Sequence, residues 1–262
     1  MRLAVVSTPR VGNMWLRRQL VALYNLEERS AHTPDEVDWE RLPEACALQL
    51  HWPRTRAFVR TLERYGFHVI VVCRHPLDVL ISILHFAGRE PETARWLDGA
   101  HGDEQTLIGA DPLSPEFREY SAGKRARALI DVSPQWWKHA LVSLRYEDLV
   151  AAPGDGLGRV VAALGVEPVV PPESVADQVT FALLQAEAAN QHFWQGKPNH
   201  WHELLPAAVA TELARPHARV IRKLGYDVRP DPRLSYEEAA DRWRSKLAGR
   251  LPLPNPTPAP AT

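Results

Sequence analysis

The chain has 262 residues, 45% apolar and 24% charged, the mix of a soluble globular protein with a substantial core. Thirty-one basic side chains against 32 acidic ones leave a formal charge of −1, which excludes a broadly basic binder of nucleic acid or of anionic membrane. Any anionic ligand must therefore be met by a local cluster of cations. Two cysteines, Cys46 and Cys73, exclude a disulfide framework and suit a reducing, cytoplasmic setting. No run of eighteen apolar residues occurs, so no membrane-spanning helix is expected.

The opening MRLAVVSTPR has too short an apolar run for a signal-peptide core. It reads as a strand over Leu3–Ser7, a turn over Thr8–Asn13 and then a helix. On that helix Leu16, Leu20, Leu23 and Tyr24 fall at helical spacing. Cys46–Leu50 is a second strand, ending at His51. Phe58, Leu62 and Tyr65 mark a helix that Gly66 stops. The run HVIVVC, His68–Cys73, is a strand apolar enough to be covered on both faces, and Leu77–Phe86 follows as a helix.

Residues 88–124 form a long polar stretch of the kind that serves as a lid or a binding loop, and they include Trp96 and His101. Pro134–His139 ends a helical segment in which the Trp136–Trp137 pair packs into the core. Ala140–Leu144 is a fourth strand, and Leu157, Val160, Val161 and Leu164 lie on a helix closed by Gly165. From Ser174 onward the chain is mostly helical, interrupted at Gly196–Asn199. Residues 251–262 hold five prolines and cannot pack, so the folded domain is set at residues 1–250.

Alternating strands and helices predict a single three-layer α/β domain with a central parallel sheet flanked by helices. Ligands of such sheets bind beyond the carboxyl ends of the strands. The residues there are Ser7-Thr8-Pro9-Arg10, His51, Arg74 and Arg145-Tyr146. The segment STPRVGNMW, residues 7–15, is a glycine-containing turn into a helix, whose free amides favour an anion, with Arg10 as a charged fork beside them. It lacks the GxxxxGK[ST] pattern, which disfavours an ordinary P-loop kinase or GTPase.

Five segments in order resemble the sulfotransferases that use 3′-phosphoadenosine 5′-phosphosulfate (PAPS). Residues 7–15 are similar to their PKSGTTW phosphosulfate loop, with Pro9, Gly12 and Trp15 identical and Arg10 in place of Lys. LHWP at 50–53 resembles their HLP element, and RHPLDVLIS at 74–82 their RNPxDVxxS signature. RYEDL at 145–149 resembles the element after the fourth strand, and FWQGKPNHW at 193–201 their RKGxxGDW element. The likeness spans residues 3 to about 225. It implies a P-loop-NTPase-like sulfotransferase fold and transfer of a sulfuryl group from PAPS to a hydroxyl or amine of a small-molecule or carbohydrate acceptor. The product would be adenosine 3′,5′-bisphosphate (PAP), with no metal required.

By this resemblance His51 is the general base and Arg10 stabilises charge on the bridging oxygen. Pro9, Arg10, Val11, Gly12, Asn13 and Met14 form the phosphosulfate loop. Arg74 and Ser82 hold the 3′-phosphate, joined by Gly196 and Lys197. Trp15, Phe181 and Tyr146 contact the adenine. Spacing alone sets Ser82 about two helical turns beyond Arg74, and Asp78 suits a helix start near the N-terminal dipole. The chain departs from the family where Gln49 replaces a lysine and where Trp194-Gln195 replaces Arg-Lys. Two other classes stay open: a nucleotide phosphotransferase on a related sheet, and a binding module that holds the bisphosphate without transfer. His192, His200 and His202 lack metal-site spacing and read as a solvated helix start. Residues 88–124 and the segments near Glu40 and Trp201 are the expected acceptor-binding regions.

Overall fold

The computed structural model describes residues 1–89, 103–187 and 194–248. The expectations placed on His192, Phe193, Trp96, His101 and the proline-rich end lie outside them. Five parallel strands form one sheet in the order β2-β3-β1-β4-β5. They are β1 (Arg2–Val6), β2 (Glu27–Ser30), β3 (Cys46–Leu50), β4 (Phe67–Cys73) and β5 (Val142–Arg145).

Successive side chains of a strand face opposite ways, and that alternation builds two cores. Leu3, Val5, Ile70 and Val72 pack beneath α1 (Asn13–Tyr24) and α3 (Pro76–Arg89). Ala4, Val6, Leu48 and Val71 pack against α2 (Arg56–Arg64), through Phe58 and Leu62, and α6 (Val132–Trp136), through Val132 and Trp136. The result is the expected three-layer α/β domain.

Three expectations need correction. The reading of four strands omits β2, whose sequence EERS is polar because it is an exposed edge; charges there discourage edge-to-edge pairing. The fourth strand begins at Val142 and not at Ala140. The long polar stretch is also no continuous loop. Its described part holds α4 (Pro115–Ala122) and α5, which begins at Lys124 and runs to Ile130, and Leu107, Phe117 and Tyr120 enter the core. Buried Glu104 accepts from the Tyr120 hydroxyl (2.8 Å) and from Arg125 (3.0 Å). These residues stabilise the fold and none of them lines the cleft at the carboxyl ends of the strands.

The remaining helices complete the layers: α7 (Tyr146–Ala151), α8 (Pro153–Leu164), α9 (Pro172–Gln178), α10 (Phe181–Glu187), α11 (Trp201–Leu204), α12 (Ala207–Ala214), α13 (Ala218–Lys223) and α14 (Tyr236–Ala248). None of the described helices is long and apolar enough to cross a membrane.

The chain leaves β1 toward the β2 side of the sheet and leaves β4 toward the β5 side. A crevice therefore opens at the carboxyl ends between them, the topological switch point. A buried hydroxyl network fixes the turn after β1. The Ser7 Oγ accepts from Val72 N (2.8 Å), and Ser133 Oγ accepts from Thr8 N (2.8 Å) while donating to Val72 O (2.6 Å). Thr8 Oγ1 donates to Ile130 O (3.1 Å) and accepts from Ser133 N (3.1 Å).

Replacing Ser133 by Ala strips partners from a buried amide and a buried carbonyl. The expected loss is about 1–3 kcal/mol, read as a lower urea midpoint at unchanged m-value. A second prediction concerns acid. Burial holds His75 and His217 below the usual 6.5 and takes His51 and His200 down to about 4. Between about 4 and 6.5 the unfolded chain binds more protons than the folded one. Stability from His51 and His200 is thus complete above pH 6.5 and falls with pH through that window, at about 1.4 kcal/mol per pH unit for each of these two; His75 and His217 act in the same direction. Urea titrations at neutral and mildly acidic pH measure the slope; a flat profile would contradict it.

Candidate active site

A cleft at this crevice is lined by Arg10, Gly12, Asn13, Met14, Trp15, Gln49, His51, Arg74, Ser82, Tyr146, Phe181, Trp194, Gln195, Gly196 and His200. Of the residues expected from the sequence, Pro9, Val11 and Lys197 are not in its wall. Val11 points into the core, and Lys197 is exposed, contributing its carbonyl.

The floor is the turn between β1 and α1. Gly12 caps the helix in the left-handed region (φ 91°) with no side-chain cap, so the first-turn amides keep their donors for a ligand. A Cβ at Gly12 would fall 2.8 Å from the Tyr146 ring, so both backbone conformation and space demand glycine. Arg10 also has positive φ (65°). Its Nε donates to Ser82 Oγ (3.2 Å), and its guanidinium lies 4.5 Å from the centre of the Phe86 ring.

Ser82 reaches the cleft because α3 runs alongside it. Asp78, Ser82, His85 and Phe86 fall on one helical face. The separation of Ser82 from Arg74 along the helix is therefore no obstacle to sharing one site.

His51 stands at the end of β3, buried to 6% exposure. Its Nδ1 lies 2.9 Å from the Ser7 carbonyl, which can only accept, so Nδ1 carries the proton. The opposite nitrogen, Nε2, then holds the lone pair and accepts from Gln49 Nε2 (3.3 Å). Asn13 Nδ2 donates to Thr8 O (2.8 Å) and flanks the ring. Burial outweighs the Ser7 bond and lowers the pKa to about 4, with His32, Arg17 and Arg10 adding to the shift; the ring is neutral at physiological pH.

Arg74 spans the cleft. It donates to Arg10 O (3.4 Å) and Lys197 O (2.7 Å), lies 3.5 Å from the Asp78 carboxylate and stacks 4.5 Å over Tyr146. Asp78 does more than occupy a helix start: it accepts from Asn199 N (2.5 Å) and Trp201 N (3.1 Å), which fastens the 194–201 segment over the site.

The aromatic walls are largely engaged by protein. Trp15 donates its indole N–H to Val179 O (2.8 Å), and the Tyr146 hydroxyl donates to Gly196 O (2.6 Å). Gly196 (φ 66°) presses on Phe181, whose ring would lie 2.5 Å from an added Cβ.

Several polar atoms in the cleft are enclosed yet lack a hydrogen-bond partner among the described residues: Asn13 Oδ1, Gln49 Oε1, Trp194 Nε1 and His200 Nε2. Buried polar atoms are ordinarily paired, and their concentration here suits a polar ligand.

The sequence reading missed several contributors. His200 is buried, not solvated, and Trp194 is stacked between His85 (4.2 Å) and His200 (4.9 Å). Lys246, delivered by α14, donates to Gln195 Oε1 (3.2 Å) and pairs with Glu203 (2.7 Å). No local motif announced these contacts, because they depend on how distant helices pack. Within the two segments expected near the acceptor, Trp201 is itself fully buried, stacked on His75 at 4.9 Å, while its neighbour His200 lines the cleft; Glu40 is an exposed partner of Tyr65 and Arg64. Among the described residues no group of three His, Cys, Asp or Glu side chains is placed to hold a metal.

No protein-family model matches the sequence, and no curated protein matches it. Solved structures do resemble its fold. A mouse sulfotransferase, SULT7A1, complexed with PAP, superposes with a TM-score of 0.59 at 17% identity, covering 84% of each chain. Retinol dehydratase with androsterone and the inactive cofactor PAP gives 0.53 at 13% identity, covering 89% of this chain and 83% of that one. The same enzyme with retinol and PAP gives 0.54 at 14% identity, covering 88% and 83%. At such identities the likeness is one of architecture: the chain has the α/β fold of the sulfotransferases.

Proposed function

We propose that the chain is a PAPS-dependent sulfotransferase acting on a hydroxyl or amine of a small-molecule or carbohydrate acceptor. The observation that carries this reading is the tautomer of His51. Its Nδ1–H is tied to Ser7 O, leaving a basic Nε2 in the same cleft as an uncapped helix N-terminus, Arg10, Arg74 and Ser82.

The residues present fit a doubly phosphorylated nucleotide. The α1 amides and Gly12 suit the 5′-phosphosulfate; Arg74, Ser82 and the Gly196 loop suit the 3′-phosphate; Trp15, Tyr146 and Phe181 suit the base. When bound, PAPS supplies an activated sulfuryl group. His51 Nε2 takes the acceptor proton once it gives up the hydrogen bond it accepts at rest from Gln49, while the Nδ1–H bond to Ser7 O keeps the ring oriented. Arg10 and the loop amides offer preorganised positive charge where negative charge develops. Arg10 borders the cleft, held at rest by Ser82 Oγ and the Phe86 ring.

One observation favours the reading of a binding module without transfer. Trp194 is held in a stack, and neither it nor Gln195 is itself a cation, while Lys246 beside Gln195 is also paired with Glu203. The two readings part on turnover. Calorimetry should detect 1:1 binding of PAP in both, whereas transfer of radiolabelled sulfate from PAPS to a mixed panel of phenols, amines and oligosaccharides is expected only of the enzyme. His51→Ala should lower transfer by roughly 10²–10⁴-fold with PAP affinity unchanged; undiminished transfer would remove His51 as the base.

The pH profile is a separate test. A base with a pKa of about 4 stays neutral across the physiological range. The kcat/KM should therefore be level from neutral pH into mild acid and fall only as pH drops toward about 4, checked by circular dichroism to exclude unfolding. A midpoint near the ordinary histidine value of about 6.5 would contradict the geometry. Gly12→Ala should abolish PAP binding, because its Cβ meets the Tyr146 ring and its backbone is left-handed.

A further inference from the structure

His200 belongs to the cleft but has no task in the scheme above. It is 3% exposed, and its ring lines the cavity together with Arg74 and Ser82. One ring face stacks on Trp194, which is itself backed by His85. The backbone is fixed on both sides, since Asn199 N and Trp201 N both donate to Asp78. Asn199 adopts the left-handed region (φ 63°), which turns the chain so that His200 faces inward. The imidazole is thus held firmly, yet its Nε2 is enclosed and without a hydrogen-bond partner among the described residues.

We propose that His200 is a phosphate-binding residue of the cleft, its Nε2–H donating to an oxygen of the 3′-phosphate held at Arg74 and Ser82. The inference rests on the reading of the cleft as a bisphosphate site and assigns it a contact that the family resemblance does not supply. Trp194 and Gln195 stand where that resemblance expects two cations. A histidine that becomes charged on binding replaces part of the missing positive charge, and only when the anion is present.

The surroundings set the direction of that change. Burial holds the free ring neutral, aided by Arg74 at the head of α3 and Lys246 on α14. Asp78 on α3 and Glu203 on α11 pull the other way and are outweighed. His85, on the same face of α3 as Asp78, stacks on Trp194. A phosphate adds negative charge and a hydrogen-bond acceptor beside Nε2, and both favour the protonated ring. Binding therefore draws a proton from solvent onto His200.

Two nucleotides separate this contact from general damage to the site. PAP and adenosine 5′-monophosphate are titrated calorimetrically into the wild type and His200→Gln near neutral pH, in two buffers of different ionisation enthalpy. The expected result is about tenfold weaker PAP binding by the variant, unchanged monophosphate binding, and a proton uptake with PAP that the variant loses. Equal weakening of both nucleotides would mean a structural role and overturn the proposal, as would unchanged PAP affinity and unchanged proton uptake. Should the wild type bind neither nucleotide, the bisphosphate reading fails and this contact with it. Should it bind PAP while the variant behaves identically, only the role of His200 falls.

Discussion

The Arg74–Asp78 pair is the constraint on which the cleft depends. Arg74 follows the buried carboxyl end of β4 and reaches the carbonyls of Arg10 and Lys197, joining two segments more than 180 residues apart. Asp78, one helical turn on, holds the same distant segment through two backbone amides. Both side chains are buried, so removing either would leave its partner as an uncompensated charge, a loss of about 3–5 kcal/mol in comparable pairs. Floor, wall and cover of the cleft are thus fastened by adjacent turns of one strand-helix junction.

That junction also explains how a chain of nearly zero net charge can suit a polyanion. Positive character is concentrated at half-buried Arg10, at buried Arg74, where low exposure makes it effective, and at the amides of α1. Elsewhere most charges cancel locally, as in the cluster of Glu28 with Arg17 and Arg18. The two histidines in the cleft wall are neutral, so at rest they add nothing to the positive field.

What could be read in advance followed from how local each signal was. HVIVVC announces a buried strand because every residue in it is apolar, and the 74–82 run is legible because strand, turn and helix are consecutive. EERS carries no such signal: an edge strand is defined by its neighbour, and Glu27–Ser30 pairs through backbone groups that any residue has. The positions of His51 and Arg74 could be placed from strand ends alone. The hydroxyl of Ser133, 125 residues from Thr8, could not, nor could Lys246 beside Gln195. Ser82 lay between these cases, since the sequence fixes its helix but not the direction in which that helix passes the cleft.

The two cysteines lie in different cores, Cys46 beneath α2 and Cys73 in the layer that holds α1 and α3. Both are buried, and desolvation raises their thiols, that of Cys73 to about 12. Neither can meet the other, and neither exposes a thiolate to an oxidant. Neither thiol is therefore placed for disulfide chemistry, so the two cysteines serve the fold as small apolar side chains whatever the redox state around them.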